Sequence, residues 1–286
     1  MNNNVSVLVI PDVHGRKFWK EAINKFSKDI YPDLNIIFLG DYLDPYSSFE
    51  DITPEDAYNN FLEILEYIKN DSRIIPLIGN HDWHYFVNLD HSRIDRARER
   101  QIEKLFVDNL SYFRVTYSLD INNKKYIFSH AGVTKGWLNA VASMARYEID
   151  NWNSCGVNPR TDPRHIWMSE LRLVNETNDL SLFEKCLKYY DEEFYSCPLS
   201  MISRYRGGWS WYGSCIWADL NEWNPYSTVI ENKERNIFQI FGHTLIGGGD
   251  LDAAVIDEDN QFAMLDSRNA WIIDNKGSII NIKDIV

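Results

Sequence analysis

The chain has 286 residues, 44% of them hydrophobic and 25% charged, with 42 acidic against 29 basic side chains and a formal net charge of −13. A chain this long can bury about three-quarters of the surface its unfolded form exposes, which argues against disorder. The acidic balance argues against tracking a nucleic-acid backbone, which takes a basic surface, so no stable nucleic-acid partner is expected. A divalent ion can still bridge an acidic cleft to a phosphate, because a bound cation reverses the local field.

The first apolar run, Val5–Ile10, reads as a strand ending at Pro11 and Asp12. No basic leader precedes it and no run of about 20 apolar residues follows, so a cytoplasmic setting without a membrane partner is expected. Cys155, Cys186, Cys197 and Cys215 are widely spaced, without a CxxC, and read as free thiols. A helical period through Phe18, Trp19, Ala22, Ile23 and Phe26 leads to a second strand at 36–39, which ends at Gly40 and Asp41.

Thr53 then supplies an N-cap, with Pro54 at the first helical position and Asp56 at the third. Tyr58, Phe61, Leu62, Leu65 and Ile68 form the apolar stripe, and Asn70 and Asp71 stop it. A third strand at 74–78 ends in Gly79-Asn80-His81-Asp82. Carboxyl ends of parallel strands converge on one sheet edge, so three loops carrying Asp, His and Asn are expected to meet there.

Residues 92–109 read as a charged helix with Ile94, Ile102, Leu105 and Phe106 inward and a solvated outer face. Runs at 113–121 and 125–128 flank a hairpin turn at Asn122-Asn123, and Ser129-His130-Ala131-Gly132 follows. Between 136 and 214, helical segments near 137–149, 163–175 and 179–195 read as an insertion or cap, packed on a single domain spanning 1–286. The run from Asn236 to Phe241 leads into Gly242-His243-Thr244, and the tail alternates short apolar runs with turns, as in a second, mostly antiparallel sheet.

The chemistry-bearing strings are Asp12-x-His14-Gly15, Gly40-Asp41-x-x-Asp44, Gly79-Asn80-His81-Asp82, His130 and Gly242-His243, on five loops. A set mixing carboxylate, amide and imidazole points to two transition-type ions rather than two calcium ions. Asp12 and His14, at i and i+2, can address one ion, and Asp41 can bridge to a second. Two ions about 3.5–4 Å apart would acidify a shared water and clamp phosphoryl oxygens during an in-line displacement, which is hydrolysis. Isolated histidines such as His84, His91 and His165 read as structural or surface residues. Trp209, Trp211, Tyr212 and Trp217 read first as packing residues at a domain join and second as a nucleobase platform.

These strings, in this order from Asp12 to His243, resemble the calcineurin-like metallophosphoesterases. Leu245 stands where many members carry a further His, a departure similar to the serine/threonine protein phosphatase branch and the bacterial diadenosine tetraphosphatases. Ser129-His130-Ala131-Gly132-Val133, Ile216-Trp217-Ala218-Asp219, Phe241-Gly242-His243-Thr244 and Leu265-Asp266-Ser267 add to that resemblance.

The resemblance implies an α/β fold, a four-layer α/β/β/α sandwich with two central mixed sheets and a helical insertion. It implies Asp12 and His14 on a first ion, Asp41 bridging, and Asn80, His130 and His243 on a second, with manganese expected and iron, zinc, cobalt or nickel as alternatives. His81 would be the general acid, Asp44 would hold its tautomer and favour its cationic form, and Asn80 would also touch phosphate. Where the phosphatase branch has Arg-Gly after that Asp, this chain has Pro45-Tyr46, so the phosphate clamp is sought at Arg16, Arg204 or Arg206.

The function expected is dinuclear hydrolysis of a phosphomonoester or nucleotide phosphoanhydride by a metal-bridging hydroxide, with a phosphorylated small molecule, nucleotide or phosphopeptide as partner. A serine/threonine phosphoprotein phosphatase and a catalytically silent scaffold are the alternatives. Oligomeric state is left open.

Overall fold

A computed structural model describes residues 5–48, 50–87, 91, 93–137, 198–222, 236–245 and 253–285. The expected helical segments at 137–149, 163–175 and 179–195 lie outside these apart from Trp137, as do Cys155, His165, Cys186 and Cys197.

The described strands form two five-stranded mixed sheets. In the first, β1 (Val5–Ile10), β2 (Asn35–Phe38) and β3 (Ile74–Pro76) run parallel, and β9 (Trp271–Asp274) and β10 (Ile279–Asn281) add antiparallel beside β1. In the second, β5 (Lys124–Ser129), β6 (Ile237–Phe241) and β8 (Phe262–Met264) run parallel, flanked by antiparallel β4 (Thr116–Ile121) and β7 (Val255–Asp257). The tail therefore differs from the expected antiparallel sheet. Its last two strands extend the first sheet, where Trp271 pairs with Val9 and Ile273 with Val7.

The period of two along each strand assigns the layers. Val7, Val9, Ile37 and Leu39 face the second sheet and pack with Phe128, Phe238, Ile240 and Leu265. Leu8, Ile10, Ile36 and Phe38 face the other way, onto α1 (Phe18–Lys25) and α2 (Pro54–Asn70) through Trp19, Ile23, Phe61 and Ile64. Burying each such side chain stabilises the fold by about 1.5–3 kcal/mol.

The start of α2 follows the sequence. Thr53 accepts the Asp56 amide at 3.1 Å while the Asp56 carboxylate accepts the Thr53 amide at 3.0 Å, and Pro54 opens the first turn. Asn122 and Asn123, with φ of 50° and 62°, make the turn joining β4 and β5.

Two helices depart from expectation. Asn80 is not in a loop but opens α3 (Asn80–Val87), and α4 runs Glu99–Asp108 rather than from position 92. The Asp95 carboxylate accepts the amides of Ala97 and Arg98 at 3.1 and 3.2 Å, so the chain turns there instead of continuing a helix. Arg93 consequently reaches the Asp44 carbonyl and the Asp95 amide the Tyr85 hydroxyl.

Candidate metal centre

The registers place the site. Ile10 pairs with Phe38 and Phe38 with Pro76, so the segments holding Asp12, Asp41 and Asn80 leave one edge of the first sheet. In the second sheet Phe128 pairs with Ile240 and Phe241 with Met264, so His130, His243 and Asp266 leave the corresponding edge. The edges are joined directly: the His243 amide donates to both Asp12 carboxylate oxygens at 3.1 Å, and His130 Nδ1 lies 2.8 Å from the Leu39 carbonyl.

Asp41 sits between two groups. Its Oδ2 is 3.4 Å from His14 Nε2 and 3.6 Å from His130 Nε2, and Asp12, His14 and Asp41 bring ligand atoms within 4.8 Å of one another. On the other side, Asn80 Oδ1 lies 2.9 Å from His130 Nε2 and 2.9 Å from His243 Nδ1, and the two ring nitrogens are 3.1 Å apart. The six expected ligand residues thus form two adjoining groups joined through Asp41 and His130.

The donor set fits cations on chemical grounds. His14 Nδ1 donates to the Leu43 carbonyl at 2.9 Å and His130 Nδ1 to that of Leu39, which leaves a lone pair on each Nε2. Burial holds both imidazoles, and that of His243, below their ordinary pKa, so they are neutral. His130 Nε2 then faces Asn80 Oδ1 lone pair to lone pair at 2.9 Å, an arrangement that suits a shared cation. His243 Nε2 is buried without a hydrogen-bond partner.

The carboxylates carry the same signal. Burial, then the neighbouring Asp266, pushes Asp12 well above the usual carboxylate range, and burial pushes Asp41 up to about 8. Burial also raises Asp266. Carboxyl groups this close and this dry resist ionisation, and a cation bound among them would favour their charged form.

Close approach explains two of the glycines. A Cβ on Gly242 would stand 2.2 Å from Asp12 Oδ1, and one on Gly79 would stand 2.2 Å from Asp41 Oδ1. Asp82, the last residue of the third string, is fully buried. It accepts the amides of Asp41 at 2.7 Å, Gly79 at 2.9 Å and Tyr42 at 3.0 Å, and so fixes the second loop against α3.

His81 donates its amide to Asp41 Oδ1 at 2.9 Å and holds Nδ1 2.9 Å from Asp44 Oδ2. Asp44 also accepts the Tyr85 hydroxyl at 2.6 Å and has His91 Nε2 at 2.9 Å, so His91 belongs to this cluster. The expectation of a cationic His81 meets an opposing environment. Burial first, and the charge of Arg93 next, hold it well below the ordinary imidazole pKa. Its Nε2 accepts a hydrogen bond from Arg93 Nη2 at 2.7 Å.

The sought arginines are already engaged. Arg16 donates to Glu50 at 3.0–3.2 Å and to the Asp12 carbonyl at 3.2 Å, and Arg268 also pairs with Glu50. Arg206 reaches Asp219 and Thr244 Oγ1, each at 2.6 Å, and Arg204 lies 3.8 Å over the Trp211 ring. The aromatic cluster divides: Trp217 is buried between His84 and His243, whereas Trp209 is 95% and Trp211 71% exposed, so those two are not packing residues.

The sequence model of the calcineurin-like phosphoesterase family (Metallophos) matches residues 5–247, and the chain belongs to that family of metal-dependent hydrolases. No curated protein sequence gives a significant match. Among solved structures, one similar fold is a protein serine/threonine phosphatase from Saccharomyces cerevisiae, described as similar to human phosphatase PP5. It is 14% identical, covers 95% of this chain and 73% of its own, and has a TM-score of 0.48. Another is the phosphopantetheinyl hydrolase PptH from Mycobacterium tuberculosis, 13% identical over 94% of this chain and 92% of its own, at a TM-score of 0.35.

Proposed function

We propose that this chain hydrolyses a phosphomonoester or a nucleotide phosphoanhydride with two divalent ions, manganese by preference, one held by Asp12, His14 and Asp41 and the other by Asp41, Asn80, His130 and His243. When bound, such a pair supplies Lewis acidity toward phosphoryl oxygens and an acidified water. The observation that carries the reading is the convergence of lone pairs from His14, His130, Asn80 and His243 around the Asp41 carboxylate.

The chain's own groups divide the remaining work. Asp44 fixes the His81 ring through Nδ1, so Nε2 is the atom turned to the leaving-group oxygen, and it can give that oxygen a proton once the Arg93 hydrogen bond it accepts is released and the ring is protonated. Asn80 presents its amide beside both imidazoles, where its nitrogen can donate to a phosphoryl oxygen. Asp82 holds the loop amides so that Asp41 keeps its place.

Exposed Trp209 and Trp211, on the segment whose Arg206 reaches Thr244 beside His243, favour a nucleotide over a phosphopeptide, because a nucleobase offers a flat face to stack. No helix among the described residues is long and apolar enough to cross a membrane. A cytoplasmic setting belongs to the same reading and draws on Cys215, a buried free thiol.

A manganese-supplemented screen of mononucleotides, dinucleoside polyphosphates, phosphopeptides and an aryl phosphate, with Asp41→Asn as the blank, tests the proposal. Hydrolysis by the parent and not by the variant is expected. Binding of a single ion per chain, or two bound ions without turnover on any substrate, would overturn it.

A further inference from the structure

Pro45 stands where the sequence resemblance would place an arginine after Asp44, and Arg16 and Arg206 are both neutralised by carboxylates. Arg93 differs from them. Its Nη1 donates to the Asp44 carbonyl at 2.7 Å, its Nη2 to His81 Nε2 at 2.7 Å, and its guanidinium lies 3.7 Å over the Tyr46 ring. Among the described residues no carboxylate side chain pairs with it. A guanidinium carries five N–H donors, and these contacts use two.

Three supports fix this group in position. Tyr46 is itself wedged against the His14 ring at 5.0 Å, edge to face, so the aromatic platform under Arg93 is anchored to a proposed ion ligand. The carbonyl that receives Nη1 belongs to Asp44, whose side chain orients His81. The Arg93 charge also acts on Asp41 and His14, the acidic side of the centre. A half-buried cation held between the proposed acid and the proposed ion ligands, with donors left over and no anion of its own, matches a phosphoryl group.

We propose that Arg93 binds the non-bridging oxygens of the substrate phosphoryl group, taking from outside the second motif the role that Pro45 cannot fill there. This rests on the phosphoesterase reading above and adds a residue to it. Because one Nη2 hydrogen bond ends on His81 Nε2, a phosphoryl group taken up by Arg93 lies next to the nitrogen that meets the leaving-group oxygen.

The test is calorimetric titration of inorganic phosphate into the manganese-loaded protein and its Arg93→Ala and Arg93→Lys variants, with metal content and melting temperature measured on each. Charge-assisted hydrogen bonds of this kind predict phosphate binding weakened about 10- to 100-fold in Arg93→Ala and less in Arg93→Lys, at unchanged metal content. With an aryl phosphate, KM should rise in step. A purely structural Arg93 would lower the melting temperature or the metal content while leaving phosphate affinity per loaded chain unchanged, and that result overturns the proposal. Should Arg93→Ala not fold, Arg93→Lys decides, since it keeps the charge and loses the fork. A parent that binds phosphate yet hydrolyses no ester would refute the phosphoesterase reading alone, and the phosphate titration would still judge Arg93.

Discussion

Replacing Gly242 by alanine should strike the ion centre without striking the fold. The added Cβ would stand 2.2 Å from Asp12 Oδ1 and 3.3 Å from the same residue's Cγ, both too close, and its next neighbour, Leu39 Cδ1 at 3.7 Å, is an ordinary contact. A comfortable carbon–oxygen contact is about 3.3 Å, so the carboxylate must retreat by about 1 Å. Gly242 is not among the residues with positive φ, so alanine brings no backbone strain. The displaced Asp12 would also lose its hydrogen bonds from the His243 amide. Shifting a ligand or its supporting partner typically lowers metal affinity by about 10- to 100-fold, or roughly 1.4–2.7 kcal/mol. Manganese titration by calorimetry, with the melting temperature of the ion-free protein as control, reads both parts. Unchanged affinity and stoichiometry in a well-folded Gly242→Ala protein would mean that Asp12 Oδ1 does not matter to ion binding, and the proposed ligand set would fail.

His81→Ala should keep its ions and lose about 10²–10⁴ in turnover on an alkyl phosphate, with a smaller loss on a substrate whose leaving group needs no proton; equal losses on both would remove the acid role. Asp41, raised to about 8 by burial, is mostly protonated in the ion-free protein near neutrality, and a ligating carboxylate must be ionised. Manganese uptake should therefore release a proton at about pH 6.5 and far less above about pH 9, which calorimetry in buffers of different ionisation heat would show or deny. The sign for folding follows from the same shift. A carboxyl raised above its unfolded value contributes stability that is complete below about pH 4 and lost as pH climbs through about 8, so the melting temperature of the ion-free protein should fall across that window and recover with manganese. Nucleotide binding should quench the fluorescence of exposed Trp211 and Trp209, and a tight nucleotide that leaves the emission of both unchanged would return the substrate to other phosphoesters.

The parts legible in the sequence were those whose cause is local. Strands end where Asp, Gly and Asn interrupt apolar runs, and Thr53-Pro54-x-Asp56 writes a helix start into four residues. The ligand residues were legible because their types and spacing match ion chemistry whatever surrounds them. Arg93 was hidden by its setting, a charge-rich run in which a solvated helical face is the ordinary outcome. Partners distant in the chain, the Asp44 carbonyl, His81 and the Tyr46 ring, bring it inward. Glu50 was hidden for a similar reason, since a lone acidic residue gives no sign that Arg16 and Arg268 will both fold onto it. His91 gave no signal beyond its residue type, and its link to Asp44 depends on where α3 ends. Asp266 could be glimpsed through the Leu265-Asp266-Ser267 string, but its coupling to Asp12 depends on the parallel pairing of β6 with β8.

The loops of the centre hold one another rather than standing on separate supports. Val13 and His14 donate their amides to the Asp41 carbonyl at 3.1 and 2.7 Å, Asp41 and Tyr42 donate theirs to Asp82, His81 returns its amide to the Asp41 carboxylate, and His243 closes onto Asp12. His14, Asp41, Asp44 and His243 all have left-handed φ values, from 44° to 69°. Such conformations cost about 1–3 kcal/mol each and last only where their surroundings over-determine them. A linked set of this kind should lose its support once, not twice. Gly242→Ala and Asp82→Asn, which disturb it at opposite ends, should each weaken manganese binding, and the double variant should weaken it by less than the sum, with a coupling of about 0.5–3 kcal/mol. Losses that add to within about 0.5 kcal/mol would show that the loops are independent, and that the left-handed residues are held by something other than each other.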